Sequence, residues 1–212
     1  MKLYFGLPLK EYFDNFFTEF NIYFEHLIED EGDYLPGKQA RKIKDPGGAT
    51  NYGISLKFLQ DCGVDVGDLN NDGVVDEKDI VVLTREQARE LYFKYFWNPL
   101  YPEMKHIQMI NRVFNFGVNA GRKISVKLLQ RSVNKILDIK LLKIDGVFGK
   151  DTLGAVTNVD KEKLYREYVV ACEDYYRSLN KPQFINGWLR RLSHILPDST
   201  VRKIKEWRDR NG

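Results

Sequence analysis

The chain has 212 residues, of which 43% are hydrophobic, 30% charged and 13% aromatic, with a formal net charge of +3. That composition supports one good core or two small ones, is too apolar for a disordered chain, and contains no run of about 18 apolar residues of the kind that spans a bilayer. The net charge is too small to argue for a nucleic-acid partner, and Cys62 and Cys172 form neither a disulfide framework nor a zinc-binding pattern.

At the N-terminus the apolar stretch covers only residues 3–9, contains Gly6 and Pro8, and lacks a small-residue cleavage site. No secretory signal is expected, so a target outside the cytoplasm would be reached by release or by a non-classical route. Over residues 11–28, Phe13, Phe16, Phe17, Phe20, Tyr23, Phe24, Leu27 and Ile28 recur at helical intervals. This predicts an amphipathic helix with an aromatic face, closed by Gly32. Residues 36–54 are rich in Pro, Gly and Lys and read as loop and short hairpin. Ser55 then opens a short helix to Gln60.

Residues 61–80 carry seven acids and a single Lys78. Thr84 with Gln87 three residues later forms a capping box, and the helix it starts runs to about Trp97, ahead of Pro99. Residues 107–120 read as a buried helix. A second helix, 123–137, has Ile124, Leu128, Leu129, Val133, Ile136 and Leu137 as its apolar set. Asp145-Gly146 marks a turn. A short helix through Val156 follows, and Asp160 caps a longer one over 161–179. From Trp188 onward seven Arg and Lys residues face three acids, with Val201, Ile204 and Trp207 at helical spacing. This tail reads as a docking helix with a solvated basic face, or as one drawn to an anionic cell envelope. The expected fold is mainly α, with a small β-hairpin near residues 41–54 and no internal repeat.

Two constellations carry chemistry. In Asp68-Leu-Asn-Asn-Asp-Gly-Val-Val-Asp-Glu-Lys-Asp79, oxygen-bearing residues Asp68, Asn70, Asp72, Asp76 and Asp79 fall at loop positions 1, 3, 5, 9 and 12. Gly73 stands at position 6 and Val74 at position 7. This is the spacing of an EF-hand calcium loop, with Asp in place of Glu at position 12, and it resembles the loops of dockerin modules. Hard carboxylates set this closely call for a hard divalent cation, so a structural Ca2+ is expected. A solvated acidic loop is the other reading.

The second constellation is Glu31, Asp45 and Thr50. Glu31 falls at the predicted C-terminal end of the aromatic helix, among Glu29, Asp30 and Asp33. The helix dipole and the neighbouring acids both disfavour its ionisation, which suits a general acid. Asp45-Pro-Gly-Gly-Ala-Thr-Asn-Tyr-Gly53 follows, with glycines that let backbone approach a ligand. Asp45 as a second carboxylate and Thr50 as a water holder would complete an inverting glycosidase pair. Taken alone, a Glu at an acidic helix end is more often a solvated surface residue, and Asp45-Pro-Gly-Gly is more often just a turn.

Glu31-Gly-Asp-Tyr34 followed by Asp45-Pro-Gly-Gly-Ala-Thr-Asn-Tyr-Gly-Ile-Ser55 resembles the signature of glycoside hydrolase family 108, whose members are lysozyme-like N-acetylmuramidases. Phe114-Asn-Phe-Gly-Val-Asn-Ala-Gly121 matches the family's mid-chain signature. Asp145-Gly-Val-Phe-Gly-Lys-Asp-Thr-Leu-Gly-Ala-Val156 is similar to peptidoglycan-binding modules, and Phe184-Ile-Asn-Gly-Trp-Leu-Arg-Arg191 looks like the family's C-terminal signature. The resemblance implies an α+β lysozyme-like fold and a peptidoglycan-degrading enzyme acting on the cell wall or periplasm. The bond it implies is the β-1,4 link between N-acetylmuramic acid and N-acetylglucosamine, with Glu31 as the acid.

On that reading the catalytic region covers 10–106, with the calcium-loop insertion at 65–80. A peptidoglycan-binding-like region covers 107–196 and the basic tail 197–212. The expected partner is the glycan strand, and the chain is expected to be a monomer. Tyr52 is expected to stack on sugar or simply to pack. Asn115 and Asn119, one helical turn apart, are expected to face the cleft or to cap and pack helices. A lytic transglycosylase and a non-catalytic calcium-stabilised wall-binding protein remain as rivals. His26, His106 and His194 are isolated, which disfavours a zinc amidase.

Overall fold

The computed structural model describes residues 3–4, 7–8, 19–28 and 48–211. The elements in chain order begin with β1 (Leu3–Tyr4) and β2 (Leu7–Pro8), a helix α1 over 19–28, β3 (Thr50–Asn51) and β4 (Ile54–Ser55). Helices α2 (Leu56–Cys62), α3 (Val64–Gly67), α4 (Glu77–Val82) and α5 (Arg85–Tyr95) follow, then a 3-10 turn Tyr101–Met104. The remainder is α6 (Ile107–Ala120), α7 (Arg122–Leu137), α8 (Lys150–Thr157), α9 (Lys161–Ser178), α10 (Pro182–Ser193) and α11 (Asp198–Asn211). The molecule is mainly helical with small β pieces, as expected. Both sheets are antiparallel pairs, and β3 runs against β4 with Thr50 opposite Ser55 and Asn51 opposite Ile54. The pairing of β1 with β2 was not expected, because strands of two residues carry no alternation to read. No described helix is long and apolar enough to cross a membrane.

The chain divides into two compact units, residues 24–92 and residues 1–23 with 93–212. In the first, Phe24, Leu27, Ile54, Leu59, Ile80, Ala88 and Tyr92 form the buried set, and the Phe24 and Tyr92 rings lie 5.8 Å apart. Local signals place its elements well. Ser55 caps α2 by accepting from Phe58 N at 3.2 Å. The expected capping box at α5 is complete: Thr84 N donates to Gln87 Oε1 and Gln87 N to Thr84 Oγ1.

The second unit is built around α6, which is buried along most of its length. A helix buried on all sides sits at the centre of a bundle, and the polar residues it carries there must find partners within the protein. Phe20 of α1 meets Phe93, Trp97 and Phe114 at 5.1–5.8 Å between ring centroids, an aromatic cluster extended by Trp97 onto Tyr101 and by Tyr101 onto Phe148. One buried polar knot ties three helices together. Ser125 Oγ of α7 donates to Val113 O of α6 at 2.7 Å and lies 2.7 Å from the Tyr168 hydroxyl of α9. Ser125 has one hydroxyl proton, so Tyr168 is the donor in the second bond.

Helix α11 docks through Ile204, which is fully buried, and through Arg208, whose guanidinium makes two bonds to the buried Glu19 carboxylate at 2.6 and 3.1 Å. One of the tail's basic residues is therefore committed to the core. Cys62 and Cys172 form no disulfide. Burial among α9's neighbours pushes the Cys172 thiol up to about 12.

Candidate functional site

Glu31 and Asp45 lie outside the described residues. Thr50 and Tyr52 lie on the β3–β4 hairpin immediately downstream, and both are half-buried. The hairpin turns through Tyr52 (φ 50°) and Gly53 (φ 71°), the left-handed pair of a type I′ turn. Glycine accepts that backbone freely. A tyrosine does so only under strain, which surrounding contacts must offset. Two contacts hold it. The Tyr92 hydroxyl of α5 donates to Tyr52 O at 3.0 Å, and Asn51 Nδ2 donates to Ile80 O at 3.0 Å and Leu83 O at 3.4 Å at the end of α4. The hairpin is thus fastened at both sides of its strained residue. Tyr92 and Asn51 were not singled out from sequence. The only sequence signal for Tyr92 is a hydroxyl on an otherwise apolar helix face.

The acidic loop adopts a tight turn at Asn71 (φ 62°) and Gly73 (φ 87°). Its oxygens are engaged with the chain's own amides. Asp68 Oδ2 accepts from Gly73 N at 2.8 Å, Asn70 Oδ1 from Asp72 N at 2.8 Å, Asp72 Oδ1 from Val74 N at 3.1 Å and Asp76 Oδ1 from Lys78 N at 2.7 Å. Asp79, fully buried, closes the loop by accepting from Leu69 N and Asn70 N on one oxygen and Asp76 N on the other. The Lys78 ammonium sits 3.0 Å from Asp72 Oδ2 and 3.7 Å from Asp76 Oδ2. Its hydrogen bond, with one from Val74 N, holds the Asp72 carboxyl below its ordinary range.

No three His, Cys, Asp or Glu side chains among the described residues are grouped so as to hold a metal ion. The backbone turn and spacing fit a calcium loop. The carboxylates, as placed, satisfy amides and an ammonium instead.

On α6, Asn115 is buried and Asn119 stands one turn on, as the spacing predicts. Asn119 Nδ2 donates to Asn115 O at 2.9 Å, and Asn119 Oδ1 accepts from Arg191 Nη1 of α10 at 2.6 Å. Both ends of that amide are engaged within the protein. A second arginine, Arg112, is buried and forms no ion pair among the described residues. It donates to Arg191 O at 3.1 Å and His194 O at 2.5 Å, carbonyls at the C-terminal end of α10 where the helix dipole favours a cation.

The Asp145-Gly146 turn is held by a residue that sequence reasoning missed. Gln130 of α7, 2% exposed, donates through Nε2 to Asp145 Oδ1, Val147 O and Thr152 Oγ1 at 3.0–3.2 Å, and accepts Gly146 N at 2.9 Å. Gly146 has φ 79°, and a Cβ there would lie 2.6 Å from Lys123 O. Glycine is required on both counts. The motif's Asp, Gly and Thr are therefore the partners of one buried amide.

Residues 24–121 match the family Glycosyl hydrolase 108, and residues 124–193 match a family described as Predicted Peptidoglycan domain. The solved structure of SagA from Brucella abortus is similar at 25% identity over 89% of this chain and 95% of that one, with a TM-score of 0.66. No curated protein matches the chain.

Proposed function

For a chain that carries a glycosyl hydrolase 108 region and a peptidoglycan domain, and so is a glycoside hydrolase acting on peptidoglycan, we propose the specific reaction to be hydrolysis of the β-1,4 bond between N-acetylmuramic acid and N-acetylglucosamine. The observation that carries this reading is the extent of the first match. It encloses Glu31, Asp45, Thr50 and Tyr52 together.

In the proposed mechanism Glu31 holds its proton and delivers it to the leaving glycosidic oxygen. As positive charge develops at the anomeric centre, a water held by Asp45 and Thr50 attacks from the opposite face. Tyr52 presents its ring to a sugar, a contact suited to the apolar face of a pyranose. The fastening of the hairpin by Tyr92 and Asn51 supports this, because a stacking ring must be held in a fixed pose. Asn115 and Asn119 act on substrate indirectly, by fixing the end of α6 against Arg191.

We also propose that the Asp68–Asp79 loop takes Ca2+ as a structural ion, in competition with Lys78. Its support is the twelve-residue spacing and the sharp turn at Gly73.

The reaction class is tested by mass spectrometry of digested sacculi. Hydrolysis leaves reducing muramic ends. Ends lighter by one water, the anhydro form, would instead assign a transglycosylase.

A further inference from the structure

Helix α8 contains Gly154 at an interior position, where glycine is destabilising relative to alanine. Nothing in its packing requires it. A Cβ added there meets no atom within 4 Å, and its φ is not left-handed. Gly154 borders a concavity of about 470 Å³ whose lining includes Glu103, Met104, Lys105, Lys150, Leu153 and Lys161. Three of these residues are lysines and one is an acid. Among the described residues Lys105, Lys150 and Lys161 are exposed and make no ion pair. Met104, 1% exposed, and Leu153 give the hollow an apolar floor.

Lys150 also borders a second hollow of about 230 Å³, where Lys143 and the 63%-exposed Val147 stand beside the Asp145-Gly146 turn. A concave surface with unpaired ammonium groups over an apolar floor suits a ligand bearing carboxylates on a short, partly aliphatic frame.

We infer that the α8 hollow binds the acidic peptide stems of peptidoglycan through Lys105, Lys150 and Lys161. The inference rests on the peptidoglycan reading, and it assigns to the hollow between residues 103–105 and helix α8 a ligand separate from the glycan strand. Stem peptides carry free carboxylates, from a γ-linked glutamate and from the chain end, and these are the charges that the ammonium groups lining the hollow complement. In intact wall the lactyl carboxyl of muramic acid is tied up in its amide bond to the stem, so the glycan backbone itself offers no such charge. Engagement of stems beside the cut strand raises the local concentration of enzyme on cross-linked wall.

The test uses the full-length protein with a fluorescently labelled alanyl-γ-glutamyl stem peptide, intact sacculi, and glycan strands stripped of peptide. Charge reversal in Lys150→Glu/Lys161→Glu and filling of the hollow in Gly154→Leu should each weaken binding of the labelled peptide on the order of ten-fold. Gly154→Ala should retain binding and raise the melting temperature slightly. Cleavage of stripped strands should be unchanged in all three variants. Unaltered peptide binding in the double variant and in Gly154→Leu overturns the inference. So does wild-type binding of inorganic phosphate in preference to the peptide, which would assign a phosphate site instead. Failure of the wild type to cut stripped strands counts against the proposed reaction, whereas the labelled-peptide arm still decides the hollow.

Discussion

Tyr52 is a bulky residue held in left-handed backbone, and its pose depends on the hydroxyl of Tyr92. Tyr92→Phe keeps the ring in the core and deletes only the hydrogen bond to Tyr52 O. The expected loss of stability is about 1 kcal/mol. The expected loss of activity is larger than so small a change implies, because the hairpin bearing Thr50 and Tyr52 is released. Melting curves and sacculus-clearing rates measured on one preparation check this. Equal, proportionate losses would mean that the hairpin serves only the fold.

The Glu19–Arg208 pair offers a second test at this scale. Glu19 is 3% exposed, and Arg208 holds both its oxygens. Arg208→Ala leaves a buried carboxylate without its cation, which costs about 3 kcal/mol. For a chain of this size that is a fall of roughly 6–12 °C in melting temperature. In Glu19→Leu/Arg208→Leu most of the fall should be recovered, since no unpaired charge remains.

Helices were the most legible elements in the sequence. The Ser55 cap, the Thr84–Gln87 box and the Asp160 cap each mark a helix start, because a cap is a local bond between near neighbours. Local sequence pattern does not mark helix α10, since Gly187 interrupts it and Pro182 opens it without a capping side chain. Long-range polar partners were equally hidden. Gln130 reads as one polar residue in an apolar set, and only the fold brings the Asp145–Thr152 loop to it, some 15 to 22 residues away. The tail's basic pattern was visible, but not that Arg208 turns inward to a residue 189 positions earlier.

The acidic loop shows how far spacing alone can carry. The residue spacing and the turn at Gly73 are those expected of a calcium loop, while the carboxylates bond to amides and Lys78 occupies part of the anionic surface. Calcium at about 100 times its dissociation constant should stabilise the protein by roughly 2.7 kcal/mol, and chelator should remove that gain. Lys78→Gln should tighten the site. Thermal melts in chelator and in added calcium decide it. Identical curves would show that the loop takes no calcium.

For the whole molecule, the order of the parts is what points to a wall-directed glycoside hydrolase. A glycosyl hydrolase 108 region is followed directly by a peptidoglycan domain, and together they span residues 24–193. Four short motifs in that order were readable before any coordinate, since each is contiguous in sequence. The division into units of 24–92 and 1–23 with 93–212 was not, because contacts between α1 and the later helices join residues far apart in the chain. On the proposed reaction, one carboxylic acid, at position 31, delivers the proton that breaks the glycan. The most direct test of this step is the rate at which purified sacculi lose turbidity with the wild type and with Glu31→Gln, at equal folded concentration. A loss of at least about 100-fold is expected for the Gln variant, the lower end of what general acid catalysis contributes. Clearing at the wild-type rate by the Gln variant would contradict it.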